Sequence, residues 1–332
     1  MVRLKEIAEA CGVSVATVSR ALNGLTDVNK ERTAMICRVA QEMGYYPNAA
    51  ARTLKTSRSC NIGILYEDRM NHEYFSSLLD KLRFAAEQRG YDLTLIGRSS
   101  SGNSESYYDH ARRRNLDGVI IIQADFDSPN VIRLVRSELP TVTIDHVYEG
   151  RDSICSSNRI GAGRIVRYAW EKGHRRIAFV TGQGGEVTRE RIAGFRESCA
   201  ELGIRVPEGF VREGLFHNTE DCVRIILEML QGEERPTCVL CPDDYSCMGV
   251  MWALKERGLR IPEDLSLAGF DGVRMTQIIC PLLTTYCQNT EGIAAEAVNV
   301  LLDAVENPQN HRPGRTVVEG RLQEGGTVCE CR

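Results

Sequence analysis

Val13-Ser14-Val15-Ala16-Thr17-Val18-Ser19-Arg20-Ala21-Leu22-Asn23-Gly24 is the stretch on which the reading of this 332-residue chain turns. Ser14 is a good N-cap, Val15 to Leu22 has the composition and spacing of a short helix, and Asn23-Gly24 are good terminators. Just upstream, Leu4 to Ala10 puts Leu4, Ile7 and Ala8 on one face and stops at Cys11-Gly12. Two short helices joined by a glycine turn predict a helix-turn-helix. A third helix is expected from an Asn29 cap, with Ile36, Val39, Ala40 and Met43 at i, i+3, i+4 and i+7 covering the first two, and Gly44 closing the unit.

In that arrangement Val18 and Leu22 face the core, which leaves Val15, Ala16, Thr17 and Arg20 outside. A recognition helix sets its N-terminal residues against base edges. Val15 and Ala16 suit thymine methyls, Arg20 suits guanine, and Ser14, Thr17 and Ser19 suit phosphates. Charge agrees with this division. Residues 1–60 hold nine Lys/Arg and five Asp/Glu, a balance of +4, whereas the whole chain is −4, so the remainder is −8. A basic head on an acidic body directs only the head towards a polyanion.

The quoted run, together with Gly44-Tyr45-Tyr46-Pro47-Asn48-Ala49-Ala50-Ala51-Arg52, resembles the lactose- and galactose-repressor family. Asn48 can cap a helix of about two turns, Ala49 to Lys55, too short to be stable alone in water. The resemblance implies a hinge helix that orders on the operator, with Leu54 wedged into the minor groove to bend the duplex. It also places Asn23, Asn48 and Ala51 among the DNA-contacting residues.

From Asn61 onward, strand-like apolar runs (Ile62–Tyr66, Leu93–Ile96, Val119–Ile122, Val142–Ile144, Ile177–Thr181, Val239–Cys241, Leu267–Phe270) alternate with helical segments (Leu78–Arg89, Ala162–Glu171, Arg191–Leu202, Cys222–Leu230). This alternation predicts an α/β body with parallel sheets covered by helices on both faces. Ligands in such folds bind beyond the carboxyl ends of the strands. Acids recur there: Glu67, Asp145, Asp243 and Asp271 each follow a predicted strand directly or within two residues.

The family resemblance extends into the body through Lys172-Gly173-His174-Arg175-Arg176-Ile177-Ala178-Phe179, through Gly258 to Ser266, and through Pro281-Leu282-Leu283-Thr284-Thr285. It implies a two-lobed effector domain like a periplasmic sugar-binding protein. Asp145, Arg191, Phe216, Asp243 and Asp271 match effector-touching positions. Two residues depart from the pattern: Asp243 stands where Asn is common, and Ser157 replaces a common Asp. Carboxylates that accept paired hydroxyls, a guanidinium fork and an aromatic face suit a polyol. Glu67, Asp145, Asp243 and Asp271 against Arg191 make four negatives and one positive, so a neutral sugar is expected first, a cationic ligand second, and a sugar phosphate is disfavoured.

The expected organisation is therefore a helix-turn-helix domain over 1–46, hinge and linker over 47–60, and an effector and dimerisation domain over 61–332. Lobe 1 is drawn at about 61–157 and 289–318, and lobe 2 at about 158–288 and 319–332. Thirteen scattered cysteines with no signal-like apolar stretch indicate reduced thiols in the cytoplasm; Cys238-Val239-Leu240-Cys241 reads as a buried strand and not as a metal or redox pair. Gly182-Gln183-Gly184-Gly185 lacks the third glycine of a dinucleotide fingerprint and reads as a turn, and His174 reads as structural. No metal, cofactor or membrane is expected. A solute-binding protein and a sugar-acting enzyme share the expected fold; the basic head opposes the first, and the lack of a Ser/His/Asp or Cys/His grouping opposes the second. One recognition helix reads a half-site, so a two-fold dimer on a pseudo-palindromic operator is the economical geometry, and Gly320 to Arg332 lacks leucine heptads for a tetramer.

Overall fold

Three helices form the head of this computed structural model, which describes residues 2–22, 29–45, 58–67, 72–97 and 106–331. Helix α1 (Leu4–Cys11) ends on Gly12 at φ 63, the left-handed conformation that lets the chain turn sharply into α2 (Val15–Leu22). Ser14 accepts from the backbone N–H of Thr17 at 3.1 Å, and Asn29 accepts from that of Glu31 at the start of α3 (Lys30–Glu42). Ile7, Ala8, Val18, Ala21, Ile36 and Ala40 make the buried core of this small unit. Leu22 is only partly buried, and Ala21 takes the inward place that Leu22 was expected to hold beside Val18. The expected hinge helix, with Asn48, Ala51 and Leu54, lies outside the described residues, as does Asn23.

Met1–Cys60 and Asn61–Arg332 are separate units. Among its described residues the larger contains two six-stranded sheets. In the first, β1 (Asn61–Tyr66), β2 (Asp92–Ile96), β3 (Gly118–Ile122), β4 (Thr141–Ile144), β5 (Asp152–Ser156) and β11 (Arg315–Val318) are all parallel, in the order β11-β5-β4-β3-β1-β2. The second joins β6 (Ile177–Thr181), β7 (Val211–Glu213), β8 (Cys238–Leu240), β9 (Ser266–Asp271), β10 (Thr284–Cys287) and β12 (Arg321–Gln323) in the order β12-β10-β9-β8-β6-β7. Its pairs are parallel except that of β10 with β12. Strands β3, β4 and β6 are buried on every residue, and β3 and β6 accordingly read as nearly continuous apolar runs, whereas β4 buries the hydroxyls of Thr141 and Thr143 between Val142 and Ile144. Cys238 and Cys241 fall in different core clusters, as residues three apart on an extended strand must, since they point to opposite faces.

The chain passes between the sheets three times, after β5, after β10 and after β11. One small network ties these crossings together. Ser157 Oγ and the Tyr286 hydroxyl are 2.8 Å apart, and the Gly320 N–H donates to both, at 3.3 and 3.0 Å. The departure of Ser157 from the family pattern thus has a local meaning: a short hydroxyl fits where three strands of chain meet. Gly161 and Gly320 leave room for the Tyr286 ring, since a Cβ at either would come within 3.0 Å of it.

Candidate effector site and DNA-reading face

Packing in the head leaves Val15 43 % exposed, with Ser14, Ala16 and Arg20 also exposed and Thr17 and Ser19 half-buried. These are the six described residues of the expected DNA-contacting set, and they occupy the start and outer side of α2. Ser14 Oγ and Thr17 Oγ1 lie 2.8 Å apart, so the two hydroxyls are held together at the helix N-terminus, where unpaired N–H groups favour a phosphate.

In the larger unit, the carboxyl ends of the two sheets face a cavity of about 940 Å³ lined by residues from both. Glu67, Asp145, Arg191, Phe216 and Asp271 line it; Asp243 does not. Asp243 is 1 % exposed and caps helix α10 (Asp244–Glu256; α4 to α9 are Glu73–Gln88, Tyr107–Arg113, Pro129–Arg136, Asn158–Glu171, Glu186–Glu201 and Thr219–Gln231, and α11 is Thr290–Glu306). Its carboxylate accepts from the Ser246 N–H at 2.7 Å and the His217 N–H at 2.8 Å, so it holds the cavity wall from behind. Both contacts and the nearby His217 ring keep it ionised despite burial. An Asx cap and a ligand-binding acid look alike in sequence, because both follow a strand and precede a helix.

Of the remaining residues, Asp145, Arg191, Phe216 and Asp271 form one connected network, and Glu67 is held separately. Arg191, 4 % exposed, donates from Nε to Asn158 Oδ1 at 2.8 Å and from NH1 to the Pro242 carbonyl at 2.8 Å, with NH2 3.7 Å from Asp271. Its guanidinium lies 3.5 Å from the Phe270 ring centroid and 5.7 Å from that of Phe216. Asn158 also reaches across to Asp145 at 3.4 Å, and Asp145 accepts from the Ser156 N–H at 2.6 Å. Asp271 accepts from Gln288 Nε2 at 2.7 Å, and Tyr74 donates to Gln288 Oε1 at 3.3 Å. Glu67 accepts from the Tyr107 hydroxyl and, at 2.6 Å, from the Asp125 N–H.

Burial raises the carboxyl of Asp145 and raises that of Asp271 to about 6, although Arg191 opposes both shifts. Of the six described non-glycine residues with positive φ, four line the cavity: Gln123, Asp145, His217 and Asp271. Such conformations cost of order 1–3 kcal/mol each and concentrate where function holds them.

Sequence reasoning missed Tyr74, Asn158, Phe270, Gln288 and Asp244. Asp244 is fully buried and accepts from the N–H groups of Gly272 and Val273 at 2.7 and 2.9 Å, fixing the turn that follows Asp271. Its position beside Asp243 was the available signal. Gln183 to Gly185 form the turn between β6 and α8, and Gly182 leaves space for Phe216, whose ring a Cβ would meet at 2.1 Å. His174 is buried between Thr237 Oγ1 at 2.9 Å and the Cys329 carbonyl at 3.0 Å, a structural position.

Residues 3–48 match the pattern of bacterial regulatory proteins of the lacI family, and residues 166–328 match a periplasmic binding protein-like domain. The HTH-type transcriptional repressor PurR of Escherichia coli is 30 % identical over 338 residues, covering 99 % of this chain and 98 % of its own. This chain belongs to the lacI family. It is a DNA-binding transcriptional regulator with a two-lobed binding domain. Among solved structures, the lac repressor bound to ONPG in a repressed state is 25 % identical with a TM-score of 0.78, covering 98 % of this chain and 99 % of that one. A transcriptional regulator CelR–cellobiose complex has the same fold, at 24 % identity and a TM-score of 0.71, over 98 % and 100 % of the two chains. No helix among the described residues is long and apolar enough to cross a membrane.

Proposed function

We propose that this regulator is a cytoplasmic repressor of carbohydrate-utilisation genes, relieved or engaged by a sugar-like molecule held between its lobes. The observation that carries the reading is the Asp145–Asn158–Arg191–Asp271 network, which joins the two lobes at the cavity and offers acceptors and donors to a ring of hydroxyls. The repressor and sugar-complex names of the relatives support it. The lining carries Glu67, Asp125, Asp127, Asp145, Glu186 and Asp271 against Arg189 and Arg191, an excess of acid that disfavours an anionic effector even with Asp243 set aside. The site binds and does not catalyse.

An effector acts by its difference in affinity for two arrangements of the lobes. A homodimer reads the two halves of a pseudo-palindromic operator. Tyr245 and Trp252, two turns apart on α10 and 57 % and 70 % exposed, offer an apolar face for the second copy. Isothermal titration with neutral sugars and their phosphates tests the effector: binding of the neutral sugar is expected, and tighter binding of the phosphate would overturn the charge argument. Incubation of the same sugars with the protein is expected to give no turnover.

A further inference from the structure

The effector cavity has two ends with different chemistry. At one, Arg191, Asp271, Asp145 and Gln288 form the polar network described above. At the other, Phe126 and His146 stack with centroids 4.1 Å apart and planes 3° from parallel, on loops that follow β3 and β4. Tyr148 packs edge-on against both rings and donates its hydroxyl to the Phe126 carbonyl, which braces the pair. The charged groups acting on His146 are Glu186, Asp127 and Arg189, whereas those acting on Arg191 are Asp271, Asp145 and Asp243. The aromatic pair and the polar network thus line one cavity while answering to different charged groups.

Size points the same way. At about 940 Å³ the cavity is near the top of the ~300–1,000 Å³ range of pockets that enclose drug-sized molecules. A single sugar ring satisfies the polar network and leaves the aromatic end unfilled. Phe126 and His146 both line the cavity, and their stack gives an aromatic surface against which a ring packs without any charge of its own. His146 follows Asp145 in the chain, yet no hydrogen bond of the Arg191–Asp271 network among the described residues goes to Phe126 or His146, so the polar network alone does not account for two braced aromatic rings at the cavity.

We propose that the effector is a two-ring glycoside, a disaccharide or aryl glycoside, whose first ring occupies the Arg191–Asp271 end and whose second lies against the Phe126–His146 wall. This deepens the proposed function and rests on it. Burial lowers the His146 pKa and so favours the neutral imidazole, which can accept from or donate to a hydroxyl of the second ring.

The test is calorimetric titration of the full chain with glucose and galactose and with their two-ring counterparts cellobiose, phenyl glucoside and lactose. The expected result is that at least one two-ring ligand binds tenfold or more tighter than its single-ring counterpart. Phe126→Ala should erase that advantage while the single-ring affinity stays within twofold, and Phe126→Tyr, which keeps the ring, should restore it. Equal affinity for one- and two-ring ligands, or an equal loss for both in Phe126→Ala with no rescue in Phe126→Tyr, would overturn the two-ring assignment and leave the sugar reading standing. If none of the five sugars binds, the sugar reading itself fails and this inference with it.

Discussion

The head and the cleft use opposite physical strategies. In the head, six buried residues make the core, and the residues assigned to DNA are those the packing leaves outside, with Val15, Ala16 and Arg20 exposed on α2. In the cleft, Arg191 and Asp271, which anchor the residues assigned to the effector, are buried at 4 % and 8 % exposure, while Glu67, Asp145 and Phe216 are half-buried. An exposed recognition face costs the fold little, so its residues are free to vary with the target. A buried polar network is constrained from every side, because each partner removed leaves another group desolvated and unpaired.

This difference predicts the size and kind of mutational effects. The largest is expected for Arg191→Ala, which removes the guanidinium between Asn158, Asp271 and the Pro242 carbonyl. Breaking a buried charged pair typically costs about 3–5 kcal/mol. Urea unfolding should report a loss of this order, and effector binding should fall by more than 100-fold, roughly 3 kcal/mol. A small stability loss with intact effector binding would break the comparison at its strongest point.

Next is Arg20→Ala, whose side chain is exposed. Losing a two-point contact to guanine costs about 1–3 kcal/mol of discrimination. Operator binding in a gel-shift titration should therefore weaken by ten- to 100-fold, while thermal stability and effector affinity stay unchanged. A fall in thermal stability would place Arg20 in the fold and not on the reading face.

Tyr286→Phe tests the crossing point, where the hydroxyl serves both Ser157 and Gly320. Its removal should cost about 1 kcal/mol in urea unfolding and change the effector's influence on operator binding more than either binding step alone. An unchanged effector response would reduce the Tyr286 network to local packing.

Two further effects are pH-dependent. His311 sits between Asp152 and Asp303, 2.8 Å from each, and these carboxylates raise its pKa. A raised folded-state pKa gives stability that is fully present below the unfolded value of about 6.5 and is lost as pH rises through the folded value. Wild type should therefore lose more stability than His311→Asn between pH 6 and pH 8.5. Asp271, raised to about 6 by burial, acts at lower pH: its ionisation is disfavoured in the folded state, so stability falls as pH rises from about 4 to about 6. Asp271→Asn should flatten that segment of the profile, and an unchanged slope would contradict the burial of its charge.

The same contrast explains what the sequence made legible. The head is built from local signals, a cap three residues before its partner and apolar residues at helical spacing, so α1 to α3 and their outward face follow from the run around Ser14. The apolar central strands were equally plain. Strands such as β5 and β10 were not, because Asp-Ser-Ile-Cys-Ser and Thr-Thr-Tyr-Cys carry buried hydroxyls that mask the pattern. The helices that open onto the cleft, α7 and α8, begin four and five residues earlier than their apolar periodicity, since their first turns face polar partners. Acids at strand ends marked the cleft but not its wiring. Asn158 meets Arg191 across 33 residues, and Tyr74 meets Gln288 across 214, separations that no local pattern carries. Asp243 shows the limit most clearly, because only the fold separates an acid that caps a helix from one that faces a ligand.

The central claim is that occupation of the buried network alters the exposed face's grip on DNA. It is tested most directly by titrating a pseudo-palindromic operator with wild type and Arg191→Ala, each with and without the best-binding sugar. The account predicts that the sugar changes the wild-type operator Kd by about 5- to 150-fold and leaves the Arg191→Ala value unchanged. An operator Kd that ignores the sugar in wild type, or responds equally in both proteins, would contradict it.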